Sequence, residues 1–235
     1  MLVVQVEAHE HCGSINDAVR SCLQDTPDPC AYELSVLRDV CLQFAEHGGS
    51  ANWLYPLSDA SVQLLVRKCV ARCDALSVLT LDLSGTYIAA EGLGALLELA
   101  NRRSATVATL DLQLRECPYV MTNCDLLALL LACGPTLRRL SLDLARDILD
   151  DEDVGLLVSA AQPREHLSLT LRENGCRDPM ILAPLLAVCD DLRLDMSSNP
   201  IEPRVWARFA AFVAFVADHR LPTMRVWLQA GHVEL

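Results

Sequence analysis

The sequence predicts an α/β solenoid, in which short parallel strands alternate with helices and each unit stacks on the next. A five-residue phrase of alternating leucines occurs five times, and an apolar, helix-like stretch follows each copy. The copies begin at Leu79, Ala108, Leu140, Leu167 and Leu192, so the steps between them are 29, 32, 27 and 25 residues. Recurrence near this length is typical of solenoids, whose units are too small to bury their apolar faces alone.

Residues 1–50 lack the repeated phrase, and we expect a helical N-terminal cap or extension there. Helices are predicted near Ser14–Leu23 and near Ala31–His47, because apolar residues in the second segment recur at the spacing of one helix face. Residues 51–235 are expected to form the solenoid. An aromatic helix and a final strand should close its C-terminal end.

In the solenoid region the sequence predicts one weak strand-and-helix pair, followed by repeat units with a clear strand phrase. The weak strand covers residues 53–55, and Ser58 begins a helix that continues to about Arg72. Predicted strands cover residues 79–84, 108–113, 139–144, 166–171, 192–196 and 224–228. Predicted helices cover residues 91–102, 123–133, 152–161, 179–189 and 203–219. Pro184 should shorten or kink the fourth of these helices, because proline lacks the N–H that a helix interior needs.

Each strand phrase alternates with a period of two residues, which separates the two faces of the sheet. In the first phrase Leu81 and Leu83 point to one side, while Thr80 and Asp82 point to the other. Because an apolar helix follows each strand, the leucines must face the helices. The predicted buried row consists of Leu81, Leu110, Leu142, Leu169 and Leu194. The open face should be concave, since strands are spaced more closely than helices.

The open face carries an acidic stripe of four aspartates. Its predicted residues are Thr80, Asp82, Thr109, Asp111, Gln113, Ser141, Asp143, Ser168, Thr170, Arg193, Asp195, Arg225 and Trp227. The stripe is suited to holding a basic helix or tail of a partner protein. The alternative is that the aspartates only keep an exposed face solvated. Candidate partner-binding residues on this face are Asp82, Asp111, Gln113, Asp143, Asp195 and Trp227.

The last predicted helix holds three of the four phenylalanines in the chain, and its apolar surface is too wide for one contact. One face of this helix is expected to cap the core, and aromatic residues beside that face are expected to bind a partner. The capping face consists of Val205, Phe209, Phe212 and Val216. The partner-binding candidates on this helix are Trp206 and Phe215. A cap alone is the alternative interpretation.

The unit Val78–Ala100 resembles the leucine-rich repeats of the longer subtype found in ribonuclease inhibitor, which pair each strand with a full helix. It keeps the strand leucines Leu81 and Leu83, the apolar loop residue Ile88 and Gly92. The last phrase, LRLDMSSNPI, places Asn199 at the family's asparagine position, where the side chain bonds loop backbone. Thr86 replaces this asparagine in the first unit.

The resemblance covers residues 76–228 and implies a shape rather than a particular partner. Proteins with this resemblance serve in cilia and flagella, in ubiquitin-ligase adaptors, in actin regulation and in organellar complexes. We therefore expect a non-catalytic scaffold, a subunit of a larger hetero-oligomeric assembly such as a ciliary or flagellar axoneme. The alternatives are a regulatory inhibitor, or a ubiquitin-ligase-type adaptor, that binds one partner on the acidic concave face, and thirdly an organellar subunit.

Composition narrows the class of partner. The chain has 235 residues and a formal net charge of −12, which disfavours nucleic acid and anionic membranes as main partners. No apolar run of 18 residues occurs, and the first residues resemble neither a secretory nor a mitochondrial signal. A cytoplasmic location is therefore expected, which includes a cytoskeletal one. Eleven cysteines without a CxxC pair are expected to be reduced thiols, mostly in the core.

No catalytic constellation stands out in the sequence. It contains no GxSxG, P-loop, HExxH or GxGxxG motif, so we expect neither an enzyme nor a bound cofactor. His9, His11 and Cys12 lie close together, but a metal site needs three or four convergent ligands and no second cluster is visible. No metal site is therefore predicted.

Overall fold

The computed structural model describes residues 2–5, 39–43, 59–65, 78–86, 88–101, 108–117, 119–133, 137–219 and 225–229. Within this part the chain is α/β, with helices between the strands of one parallel sheet. The strands are β1 (Leu2–Gln5), β2 (Asp39–Gln43), β3 (Val78–Asp82), β4 (Thr109–Gln113), β5 (Arg139–Asp143), β6 (Arg164–Thr170), β7 (Cys189–Asp195) and β8 (Arg225–Gln229). They lie side by side in chain order, each parallel to the next.

The helices follow the predicted positions within two residues wherever both ends are described, with one exception. They are α1 (Asp59–Leu65), α2 (Ala90–Asn101), α3 (Cys124–Leu131), α4 (Asp151–Ser159), α5 (Leu185–Val188) and α6 (Pro203–His219). The exception is the predicted helix over residues 179–189, which is divided into a 3-10 turn at Pro179–Leu182 and the short α5. Pro184 lies between these two pieces, so the shortening expected from its missing N–H is confirmed.

The N-terminal region contributes strands to the sheet. The predicted helix near Ala31–His47 is wrong at residues 39–43, which form β2 and pair with β3, with Val40 beside Leu79. A short apolar segment fits helical and strand periodicity alike, and here pairing with a neighbouring strand decides the outcome. The predicted helix at Ser14–Leu23, the strand at residues 53–55 and the group His9, His11 and Cys12 lie outside the described residues.

Leucines on one side of the strands fill the core in two rows, and each of them is at most 3% exposed. The first row is Leu79, Leu110, Leu140, Leu167 and Leu192, and the second is Leu81, Leu112, Leu142, Leu169 and Leu194. The predicted row was wrong at Leu110, which pairs with Leu79 rather than with Leu81. The buried alternation of the second phrase continues past Leu112 to Leu114. The strand therefore pairs with β3 two residues away from the alignment of the two phrases.

A turn of the same construction follows each of the strands β3 to β7. Its fourth residue hydrogen-bonds backbone groups, those of its own turn in the first case and those of the preceding turn in the later ones. Asn174 Nδ2 donates to Leu144 O at 2.7 Å, and Asn199 Nδ2 donates to Leu171 O at 2.6 Å. The bond expected of Asn199 with loop backbone is thus confirmed. The equivalent residues, here called the turn ladder, are Thr86, Cys117, Asp147, Asn174 and Asn199.

The residue before each member of the turn ladder has left-handed backbone. These residues are Gly85, Glu116, Arg146, Glu173 and Ser198, with φ between 56° and 71°. At the centre of this row, the Arg146 guanidinium donates to Glu116 at 2.7 Å and to Glu173 at 2.6 Å. These pairs link three successive turns, although pairs at such exposed positions contribute little to stability.

The start of α2 depends on close packing at Gly92. Asp59, the first residue of α1, accepts a hydrogen bond from the Ala89 N–H at 2.6 Å through its Oδ1. A Cβ atom at Gly92 would lie 2.7 Å from that same oxygen and 2.7 Å from Ile88 Cγ1. The absence of a side chain at Gly92 therefore allows α1 to cap α2.

We predict that Gly92→Ala destabilises the protein by about 1–3 kcal/mol, because the added methyl group overpacks this contact. Gly94 is the matched control in the same helix, since a Cβ there meets no atom within 4 Å. Gly94→Ala should raise stability by about 0.5–1 kcal/mol through the better helix propensity of alanine. Urea unfolding of both variants measures the difference, and equal effects would contradict the close packing of α1 against α2.

The last helix, α6, spans the predicted residues, but a different face of it is buried. Trp206, Phe209 and Val213 are 3%, 0% and 5% exposed, whereas Phe212 is 36% exposed. The prediction that Phe212 faces the core and Trp206 faces outward is therefore wrong. Both faces contain Phe209 and recur at helical spacing, so periodicity alone does not distinguish them. The cap prediction for Phe209 is confirmed.

Candidate functional site

The face of the sheet opposite the leucine rows is open and polar. None of the thirteen residues predicted for it is buried. Strand pairing places them in rows across the sheet, and the middle row passes through Thr80, Asp111, Ser141, Ser168, Arg193 and Trp227. A second row, nearer the carboxyl ends of the strands, passes through Asp82, Gln113, Asp143, Thr170, Asp195 and Gln229. We call this surface the sheet face.

Three of the four aspartates of the predicted stripe stabilise the turns that follow their strands. Asp82 Oδ1 accepts a hydrogen bond from the Ser84 N–H at 3.1 Å. Asp143 and Asp195 accept equivalent bonds, at 3.1 and 2.9 Å, from the N–H two residues later. Short acidic side chains commonly make this bond where a chain turns. These aspartates therefore have a local structural role, whatever else they bind.

Asp111 differs from the other three because it lies in the middle row, away from the turns. It is hydrogen-bonded to the Ser141 side chain. Burial raises the pKa of Asp111 above its ordinary value, the charges of Asp143 and Asp82 raise it further, and the bond with Ser141 lowers it. Asp111 is thus the aspartate of the stripe that is best placed to meet a cationic group of a partner.

The sheet face also carries positive charge and an aromatic ring. Arg139, Arg193 and Arg225 are exposed, and Trp227 is 62% exposed beside Arg193 in the middle row. Arg115 lies 3.3 Å from Asp143 and partly neutralises it. The face is therefore mixed in charge, with the predicted acidic stripe lying beside exposed arginines.

Two shallow grooves run across the sheet face. The central groove has a volume of about 370 Å³ and is bordered by Asp111, Arg139, Ser141, His166 and Arg193. The C-terminal groove has a volume of about 440 Å³ and is bordered by Thr170, Arg193, Asp195, Trp227 and Gln229. Arg193 borders both grooves, which makes them one continuous polar surface with Trp227 at its end.

Sequence reasoning missed one end of the central groove. His166 Nδ1 lies 2.9 Å from Asp191 Oδ2, and Arg139 pairs with His166 in the row on the amino-terminal side of the middle row. One more step of the two-residue alternation, back from Ser168, would have found His166. Of the two candidates on α6, Phe215 is 59% exposed as predicted, whereas Trp206 is buried and unavailable to a partner.

The buried cysteines are poor nucleophiles. Cys117, Cys124, Cys176 and Cys189 are free thiols in the core, as predicted for a reduced interior. Burial raises the pKa of Cys117, Cys124 and Cys176 to about 12 and that of Cys189 to about 11. Since the thiolate is the reactive form, these four side chains act as small apolar residues.

Metal-binding groups and membrane-spanning helices are both absent from the described ranges. The described residues contain no group of three or more histidine, cysteine and acidic side chains that could hold a metal ion. In the same part of the chain, every helix is too short or too polar to cross a membrane.

No protein-family model matches the sequence, and no curated protein matches it either. The features that indicate a function are therefore those of the sheet face, namely its grooves, its mixed charge and its exposed tryptophan.

Proposed function

We propose that this protein is a non-catalytic scaffold for protein–protein interaction, built as a leucine-rich-repeat solenoid and acting as a subunit of a larger assembly. The consecutive order of eight parallel strands is compatible with a solenoid. The hydrogen bonds of Asn174 and Asn199 with neighbouring turns support the resemblance to leucine-rich repeats. A cytoskeletal assembly, such as that of a cilium or flagellum, is the setting we propose from that resemblance.

The observation that carries the proposal is the contrast between the two faces of the sheet. One face is filled by leucines, while the other is polar and open from β3 to β8. A solvent-exposed tryptophan next to an arginine is the combination enriched at the energetic centre of interfaces. We therefore place the partner on the C-terminal groove, with Trp227 and Arg193 as its main contacts and Asp111 as a charged contact further along the face.

The proposal is tested by purifying the tagged full chain with its partners at low and at high salt. Trp227→Ala should weaken retention of the partners by about tenfold or more, because tryptophan anchors typically contribute about 2 kcal/mol or more. Leu156→Ala is the matched control, since this residue is 46% exposed on α4, away from the sheet face. If the control loses the same partners as Trp227→Ala, or neither variant loses any, the sheet face is not the interface.

Charge steering is tested separately with Asp111→Asn. Asp82, Asp143 and Asp195 are unsuitable for this purpose, because their carboxylates also hold turns together. Slower association with a flatter salt dependence would support a basic partner segment. A single stoichiometric partner with enzymatic activity would instead favour the alternative proposal, a regulatory inhibitor or adaptor that binds one protein on this face.

A further inference from the structure

Asp147 occupies the turn-ladder position between Cys117 and Asn174. It is 2% exposed, and its Oδ1 accepts a hydrogen bond from the Cys117 N–H at 2.7 Å. Asn174 Oδ1 accepts from the Asp147 N–H in the same way at 3.0 Å, and Asn199 Oδ1 accepts from the Asn174 N–H at 3.1 Å. One oxygen of Asp147 therefore accepts from the ladder residue of the preceding turn, as the amide oxygen of each asparagine does.

The second oxygen of Asp147, Oδ2, differs from the second side-chain atom of the two asparagines. In Asn174 and Asn199 the second atom is a nitrogen, and it donates to the carbonyl of the residue that directly follows the strand of the preceding unit, Leu144 O or Leu171 O. The equivalent carbonyl for Asp147 is that of Leu114. Asp147 Oδ2 is buried and has no hydrogen-bond partner among the described residues. An ionised carboxylate only accepts hydrogen bonds, so it offers nothing to a carbonyl.

We propose that Asp147 is held as a neutral carboxylic acid, whose hydroxyl takes the place of the asparagine amide and makes the centre of the fold sensitive to pH. A proton on Oδ2 turns that atom into a donor, and the equivalence with Asn174 and Asn199 assigns it the Leu114 carbonyl as acceptor. The side chain then has one acceptor and one donor, as Asn174 and Asn199 have. This arrangement satisfies a polar atom that would otherwise be buried without a partner.

The surroundings of Asp147 favour the protonated form of its carboxyl group. Burial raises the pKa of Asp147 to about 8, the hydrogen bond from the Cys117 N–H lowers it, and the negative charges of Asp143 and Glu116 raise it. The nearby thiols of Cys117 and Cys124 carry no charge at neutral pH, since their own pKa values are raised to about 12. In the turn after β6, Asn174 is a neutral neighbour of Asp147. Arg146, next to Asp147 in the turn after β5, is already paired with Glu116 and Glu173.

The direction of the pH effect follows from these values. In the unfolded chain the Asp147 carboxyl has its ordinary pKa of 3.8, and in the folded chain the pKa is about 8. Between these values the folded state holds a proton that the unfolded state has released. The contribution to stability is fully present below pH 3.8 and is lost as pH rises toward about 8. One proton changes the ratio of unfolded to folded protein about tenfold for each pH unit in this range.

The test is Asp147→Asn in the full chain, with urea unfolding at about pH 5 and about pH 8. Asparagine has the same shape and supplies the donor at every pH. Relative to this variant, the unfolded-to-folded ratio of the wild type should rise about a hundredfold or more between the two pH values. Asp125→Asn removes an exposed carboxylate on α3 and is the matched control, whose curve should run parallel to the wild type.

A second measurement keeps the proposal testable if Asp147→Asn does not fold. The carboxyl carbon of Asp147, followed by NMR in the wild-type protein, should report a protonated acid at about pH 6 and titrate near pH 8. A carbon resonance typical of an ionised carboxylate at about pH 6 would overturn the proposal. Parallel pH curves for the wild type and a folded Asp147→Asn variant would overturn it as well.

Discussion

Phe209→Ala should cost about 3–5 kcal/mol of folding stability, because it removes a fully buried aromatic side chain and leaves a cavity. Phe209 is 0% exposed, and its ring lies 5.7 Å from the ring of Trp206, centroid to centroid, at an interplanar angle of 52°. Such tilted aromatic pairs contribute beyond the area they bury. The change is measured by urea unfolding as a shift in midpoint at constant slope.

Phe212→Ala provides the matched control for this change. It removes the same side chain from the same helix, α6, but at a position that is 36% exposed. We expect a cost of about 1 kcal/mol or less, since a partly exposed site leaves little cavity. Equal costs at Phe209 and Phe212 would show that α6 does not cap the core with the face described above.

Asn174→Ala should be the most destabilising polar substitution, at about 3–5 kcal/mol. The Asn174 side chain accepts from the N–H groups of Asp147 and Leu149, each at 3.0 Å, and donates to Leu144 O at 2.7 Å. Asn174 is 8% exposed, so water has little access to replace these bonds. Each buried backbone group left without a partner costs about 1–3 kcal/mol.

Asn123→Ala is the control for the asparagine prediction. Asn123 also donates to a backbone carbonyl, that of Tyr119, at 2.6 Å. It is only half-buried, so water can take over the bond and we expect a cost of about 1 kcal/mol or less. Thermal or urea unfolding of both variants gives the comparison. An Asn174→Ala variant as stable as Asn123→Ala would mean that the turn ladder does not stabilise the fold.

The alternation of the fold and much of its core follow from the sequence alone. Leu81, Leu142, Leu169 and Leu194 were predicted to be buried from a two-residue period, and they are. The helix over residues 203–219 was predicted with the bounds that it has. These features depend on the order of apolar and polar residues within a short segment. Such an order is a local property, and a single sequence displays it fully.

The candidate site was predictable in part, for the same reason. The alternation identified Trp227 and Arg193 on the open face, and neither is buried. It did not reveal that Asp82 would hold a turn while Asp111 would not, since both are aspartates in equivalent-looking phrases. The turn ladder was recognised at Asn199 but missed at Asp147, because Asp147 has a carboxyl group where the family has the amide of asparagine.

Which segments pair, and in which register, depends on tertiary contacts. Residues 39–43 form a strand because β3 lies beside them, and Leu110 pairs with Leu79 because Leu114 extends the buried pattern of its strand. The buried face of α6 likewise depends on the residues packed against it, which bury Trp206 and leave Phe212 partly exposed. In each of these cases two local structures fit the sequence pattern almost equally well. Contacts with distant parts of the chain then decide which of the two forms.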